Sequence, residues 1–349
     1  MADHFTGRGI QIDFAGWERL PDELKTLRSG NSLVRERTIL RGGGYSSRKA
    51  RMMYPVWMIC VFFYVFRIGF RRNVFCLGWE TAFPALLASV VTRSKIVFDD
   101  ADRFSLIVRL PGVLHRLLQF LERWASRHAL VHIVPSFSRY EWKHDRMMPL
   151  RNTPLSHEFD EARRQTPPRI DADFVIYANG WLGETRGAPV FLELANLLQN
   201  CPKNVRILIA GRVDSPAGQQ LIAHPRVSYL GEVNQTQALS YYPESDVVLT
   251  YYDPRVEINR KAESNKWGDC VFFGVPFIVN AEVETAASFI AAGAAIAVPY
   301  HDVDALYQQI LSLASDRTQL DSLRSKLLPF RKDYPVFDQQ LDQLMTYLS

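Results

Sequence analysis

Apolar and polar positions along this chain follow two alternating rhythms. Short apolar runs of strand length stand at 36–40, 74–77, 95–99 and 130–134, and again at 173–178, 205–210, 227–230, 246–252, 277–279 and 294–298. Runs of this kind are expected of strands buried on both faces. Residues 9–14 alternate and predict a further strand, with Trp17-Glu18-Arg19 leading into a polar loop. Between the runs lie helical stretches: 117–129, a helix opening at Ser136, others reaching to about Lys326, and a terminal helix near 334–348. Strand and helix alternating in two halves predicts an α/β protein with two facing, doubly wound sheets. Pro167-Pro168 and mixed charges mark a linker at 159–172, between an N-terminal domain, 1–158, and a C-terminal domain, 173–330. Residues 331–349 are left for the terminal helix.

The pattern is most informative at 257–281. A loop leads to a helix at 265–273, with Ser264 as candidate N-cap and Trp267, Val271 and Cys270 on the buried side. Gly274 supplies a left-handed C-cap, Pro276 stops the helix, and Phe277-Ile278-Val279 is a buried strand. Asn265 and Lys266 stand where free N–H groups and the positive dipole end meet an ammonium, which is chemistry for a phosphate. Asp269, one turn on, could accept hydrogen bonds from a ribose. The same residues also make an ordinary capped amphipathic helix.

Composition and charge narrow the class. The 349 residues suffice for two domains with separate cores, and 47% hydrophobic with 22% charged residues describes a globular chain. Four scattered cysteines (60, 76, 201, 270) suggest neither disulfides nor zinc, which fits a reduced cytoplasmic compartment, and the first residues show no basic-then-apolar leader. The net charge of +4 hides an asymmetry: residues 1–150 carry 23 Lys+Arg against 13 Asp+Glu, and the remainder 18 against 24. A basic first half suggests an anionic surface or ligand.

Residues 48–73 concentrate that charge. About a dozen apolar and aromatic residues, Tyr54 to Phe66, are flanked by Arg48, Lys49 and Arg51 before and Arg67, Arg71 and Arg72 after. The run is too short to cross a bilayer, but it suits a helix lying in an anionic headgroup layer, or a core helix with basic ends. The glycines at 42–44, followed by Tyr45-Ser46-Ser47, lack phosphate-loop spacing, and no G-x-G-x-x-G follows a strand, which disfavours a dinucleotide oxidoreductase.

The stretch Ala262-Glu263-Ser264-Asn265-Lys266-Trp267-Gly268-Asp269, with Gly274-Val275-Pro276-Phe277-Ile278, resembles the nucleotide-sugar site of GT-B fold glycosyltransferases of the retaining family-four kind, often A-S-P-N-K-L-x-E-x-M-A-x-G-x-P-V-I. Asp269 stands at the family's ribose-binding Glu. Lys261 replaces the first Glu of the E-x7-E version, so the sugar-contacting carboxylate is missing or supplied by Glu257 or Glu263. Gly180-Trp181 through Arg186-Gly187 is similar to the family's G-x-x-x-x-x-R/K-G, whose glycine and basic residue meet the donor diphosphate. Gly211, Arg212 and Asn259 join the donor side by the same resemblance. Glu80 stands at the second acid of the family's H-D-x-D-T-x-x-P-A turn, and Asp99-Asp100-Ala101-Asp102 is similar to V-Y-D-x-H-D. Asp99 and Asp102 are thus acceptor-side candidates, or surface caps of the following helix.

The resemblance implies two Rossmann-like domains, with the terminal helix returning to the first. The N-terminal sheet would lack its first strand, because residues 1–8 are too short and polar to supply strand, turn and helix. It follows that the natural protein would start upstream of Met1 or have lost acceptor-side function. The implied activity is sugar transfer from a nucleotide-sugar to a lipid-linked saccharide or glycan acceptor, at the cytoplasmic face of an anionic membrane. Neither metal, cofactor nor nucleic acid is expected. The rivals are a nucleotide-sugar epimerase of the same fold and a non-catalytic nucleotide-sugar-binding scaffold.

Overall fold

The computed structural model describes all residues except 22–32, 46–47, 109 and 349, so Ser46 and Ser47 of the glycine-rich turn lie outside the described residues. The chain divides into two compact units, Met1–Leu150 with Asp338–Ser349, and Arg151–Phe337.

The first unit has two sheets. Strands β1 (Ile12–Glu18) and β2 (Val34–Arg41) pair in parallel with each other. Strands β3 (Asn73–Leu77), β4 (Lys95–Asp99), β5 (Val131–Val134) and β6 (Met147–Pro149) form a second parallel sheet in that order. Residues 2–6 are a short helix, so no strand at 1–8 joins the sheets, and among the described residues β3 pairs with β4 alone. The first strand begins three residues later than its alternation predicted. It runs on through Trp17, whose indole stacks on Trp57 and donates to the Gly42 carbonyl at 2.8 Å.

Helices Arg48–Ile68, Trp79–Thr92 and Gly112–His128 pack side by side in this unit. The first turns Trp57, Val61 and Val65 inward, a spacing of four that keeps one stripe on the core. The helix expected to open at Ser136 is only a short 3-10 turn, Phe137–Arg139. Beyond it the side chains are fixed on the sheet layer one after another. Tyr140 donates to Asp100 at 2.7 Å, Trp142 donates to Ser126 Oγ at 3.1 Å, and His144 meets the same hydroxyl at 2.8 Å. Those anchors hold the backbone out of a helix.

The second unit contains β7 (Phe174–Asn179), β8 (Val205–Ala210), β9 (Val227–Tyr229), β10 (Val247–Thr250), β11 (Phe277–Asn280) and β12 (Ala295–Val298). All are parallel, in the order β12-β11-β10-β7-β8-β9. Helices on both faces close two apolar cores. The residues expected as a linker begin inside helix Ser156–Arg164, whose Phe159 is buried and stacked on Phe272. An apolar residue so placed makes that helix part of this unit.

Candidate functional site

The second unit's strand order reverses between β7 and β10: the chain leaves β7 toward β8 and β9, and leaves β10 toward β11 and β12. In such sheets ligands sit beyond the C-terminal ends of the strands flanking the reversal. Those ends lead into Gly180–Gly187 and into Tyr251–Arg255.

After β7 the chain turns at Gly180, with φ 95°. Gly211, with φ 123°, lies against it so closely that a Cβ there would fall 2.2 Å from the Gly180 carbonyl oxygen. Only glycine lets the two loops meet. On its open side, a Cβ on Gly180 would lie 3.4 Å from Lys266 Nζ. Gly187 serves packing instead, since a Cβ would come within 2.9 Å of the Phe191 ring.

Lys266 is placed by its neighbour. Trp267 is fully buried, stacks on Phe277 and donates from Nε1 to Thr250 Oγ1 at 3.1 Å, which pins helix Asn265–Phe273 to β10. Gly274 ends that helix in the left-handed region, as its sequence predicts. Ser264 holds the N-cap position but does not cap with its side chain; its Oγ accepts from the Tyr252 hydroxyl at 2.8 Å. The first N–H groups of the helix therefore stay open beside Asn265 and Lys266. Arg186 lies 5.1 Å over the Tyr252 ring and 5.9 Å from that of Trp181. Neither Arg186 nor Lys266 makes a salt bridge among the described residues. Two cations without salt bridges, open helix amides and a side-chain-free turn offer chemistry that could hold a diphosphate.

The other donor-side candidates divide. Asn259 is buried and donates to the Asp253 and Thr185 carbonyls at 3.0 and 3.3 Å, stitching the loop after β10 to the loop after β7. Its amide nitrogen thus holds the two loops together. Arg212 pairs at the surface with Asp214 at 3.2 Å. Trp181 is 52% exposed, and its Nε1 donates to Asp214 Oδ1 at 2.8 Å. Beside it opens a cavity of about 690 Å³ lined by Glu184, Thr185, Ser215 and Gln220.

The carboxylates depart furthest from expectation. Asp269 is 3% exposed, its Oδ2 takes the Tyr242 hydroxyl at 3.1 Å, and its Oδ1 is enclosed without a partner. Burial pushes its pKa up to about 7, against the pull of Tyr242 and Lys266. Its carboxylate is enclosed by protein in this structure, not open at the surface as a ribose contact would require. Glu263 is not open to a sugar either: it forms an ion pair with Arg151 and accepts from Tyr334 at 3.1 Å. Glu257 is exposed, in a four-residue helix where a loop was expected. In the first unit, Asp102 is a surface residue 3.5 Å from Arg139, whereas Asp99, at the end of β4, is driven up to about 6 by burial and by Asp100. Glu80, raised by burial, stands in the first turn of helix Trp79–Thr92, just after β3. Sequence reading passed over Tyr252, which carries both the Arg186 contact and the Ser264 bond. Its signal was position, just past a buried strand at the reversal.

No family model matches this chain, and no curated protein matches it in sequence. Among solved structures it is similar to OtsA, with TM-score 0.67 and 12% identity over 100% of this chain and 95% of that one. It is also similar to Anabaena HepE, solved with UDP and glucose (TM-score 0.59, 14% identity, 97% and 99% covered). A third likeness is to a protein described as a UDP-N-acetylglucosamine 2-epimerase from Listeria monocytogenes (TM-score 0.58, 11% identity, 96% and 95% covered). At these identities the likeness defines the fold, which is GT-B.

Proposed function

We propose that this chain is a nucleotide-sugar-dependent, retaining hexosyltransferase. Its acceptor would be a lipid-linked saccharide or glycan, used in surface-polysaccharide or glycolipid synthesis at the inner face of an anionic membrane. One observation carries the reading: the unpaired Arg186 and Lys266 converge with open helix amides at the strand-order reversal. Charge that develops on a leaving diphosphate would be stabilised by donors already in place, without a costly rearrangement. Glu257 is the carboxylate near this helix that remains open to a sugar hydroxyl. Asp99, with a pKa of about 6, can hold or release a proton near neutral pH and is the acceptor-side candidate. The epimerase reading is supported by the third structural likeness and needs no acceptor.

The test is a thermal-shift screen with UDP-, GDP- and ADP-sugars, followed by product analysis with and without added acceptors. Stabilisation with acceptor-dependent transfer supports the proposal; sugar isomerisation without acceptor would replace it with the epimerase, and binding without turnover with a scaffold. Two aspartates sharpen the outcome. Asp99→Asn is expected to lower turnover by about a hundredfold, the scale of general acid–base assistance. Asp102→Asn removes a long contact from exposed Asp102 to a buried Arg139 that also donates to the Ala101 carbonyl; it should change stability by about 1 kcal/mol or less and leave turnover intact. Equal turnover in the two variants would remove Asp99 from the mechanism.

A further inference from the structure

The three packed helices of the first unit present outward faces that the core does not explain. On Arg48–Ile68, Met52, Val56, Ile59, Phe63 and Phe66 are 45–77% exposed and recur at helical spacing, opposite the buried Trp57, Val61 and Val65. Phe70, just past the helix, is 68% exposed. On Trp79–Thr92 the exposed residues are Leu87, Val90 and Val91; on Gly112–His128 they are Val113, Leu114, Leu117 and Phe120. Right-handed crossovers from β3 to β4 and from β4 to β5 put the second and third helices on one face of the sheet, and the first packs beside the second. Their exposed residues therefore share one side of that layer, and an apolar surface of this extent marks an interaction site.

Charge identifies the partner. Lys49, Arg67, Arg71, Arg72 and Arg93 are exposed around the first two helices, and Arg116, Arg123 and Arg127 along the third. These helices carry two carboxylates in all. Glu122 is buried and bound by Arg103 and Ser105, and Glu80 is partly buried, with a raised pKa. Among the described residues no carboxylate on these helices is exposed, although exposed Asp13 lies close enough to Tyr64 of the first helix to add to the rise that burial gives its pKa. Exposed apolar groups within a border that is mainly basic fit acyl chains beneath anionic headgroups. A second copy meeting this face by two-fold symmetry would set like charges together. Among the described residues no helix is long and apolar enough to cross a membrane, so the contact lies in the interface plane.

We infer that this three-helix face docks on the surface of an anionic lipid leaflet, with Ile59, Phe63, Val90 and Phe120 entering the acyl boundary and the basic border at the phosphates. The inference rests on the membrane partner of the proposed function but not on catalysis, and its test is separate. The protein should sediment with vesicles of phosphatidylcholine mixed equally with phosphatidylglycerol, and salt should release it only in part. Phe63→Glu with Val90→Glu should weaken that binding about tenfold or more, as should Val113→Glu with Phe120→Glu on the other helix. All positions changed are exposed, and unchanged melting and nucleoside-diphosphate shifts would show that the variants fold. Wild-type protein left in the supernatant would overturn the inference, as would an oligomer that the Phe63 variant dissociates. Sedimentation without any nucleotide-induced shift would keep the docking face and remove the proposed function.

Discussion

Lys266→Ala should weaken binding of a nucleoside diphosphate by about 1.5–3 kcal/mol, the range for hydrogen bonds to charged groups, or about ten- to a hundredfold in Kd. Among the described residues the ammonium makes no salt bridge; it acts on the buried Asp269 only through its field, so most of the loss in affinity falls on the ligand. The fold should persist, because Trp267 and not Lys266 ties the helix to β10. Titration calorimetry with UDP, GDP and ADP reads the effect directly. Arg186→Ala should behave alike, and the double variant should lose more than either. An affinity for every nucleoside diphosphate within twofold of wild type would take Lys266 out of the site.

What the sequence reveals about this site divides along a physical line. The helix 265–273, its left-handed stop at Gly274 and the buried run 277–280 depend on local signals: apolar spacing, one glycine, one proline. The chemistry proposed to hold a phosphate at Lys266 is local too, since a helix start and a lysine adjoin in the chain. The acids are another matter, because their availability depends on partners remote in sequence. Glu263 is engaged by Arg151 and Tyr334, and Ser264 by Tyr252, none of which the spacing around residue 264 could announce. The turn at Gly180 shows the same division. A glycine after a strand is legible, but the close packing of Gly211 against it, where a Cβ on Gly211 would fall 2.2 Å from the Gly180 carbonyl oxygen, is not. The outward faces of the basic helices were only partly legible. Their flanking charges suggested an anionic surface, whereas the sharing of one side by three helices requires the sheet order.

Asp269 gives the largest expected effect on stability, and its sign is opposite to that of most aspartates. In the unfolded chain it titrates near ~4, and in the folded protein at about 7, because burial disfavours its charge. Between those values the folded state keeps a proton that the unfolded chain has released. Stability is thus full below about pH 4, falls as pH rises, and has lost on the order of 4 kcal/mol from this group above about pH 7. The geometry accommodates the neutral acid. A protonated Asp269 can donate to the Tyr242 oxygen, whose own proton then goes to Asn179 Oδ1 at 3.2 Å. Asp269→Asn should flatten this part of the pH profile and make the variant more stable than wild type at pH 8, measured by urea unfolding between pH 4 and 8. Lys266 shifts the balance as well, since its charge favours the ionised form; in Lys266→Ala the wild-type fall should extend to higher pH. A variant with the wild-type slope across this range would show that another group carries it, and that Asp269 is ionised in the fold.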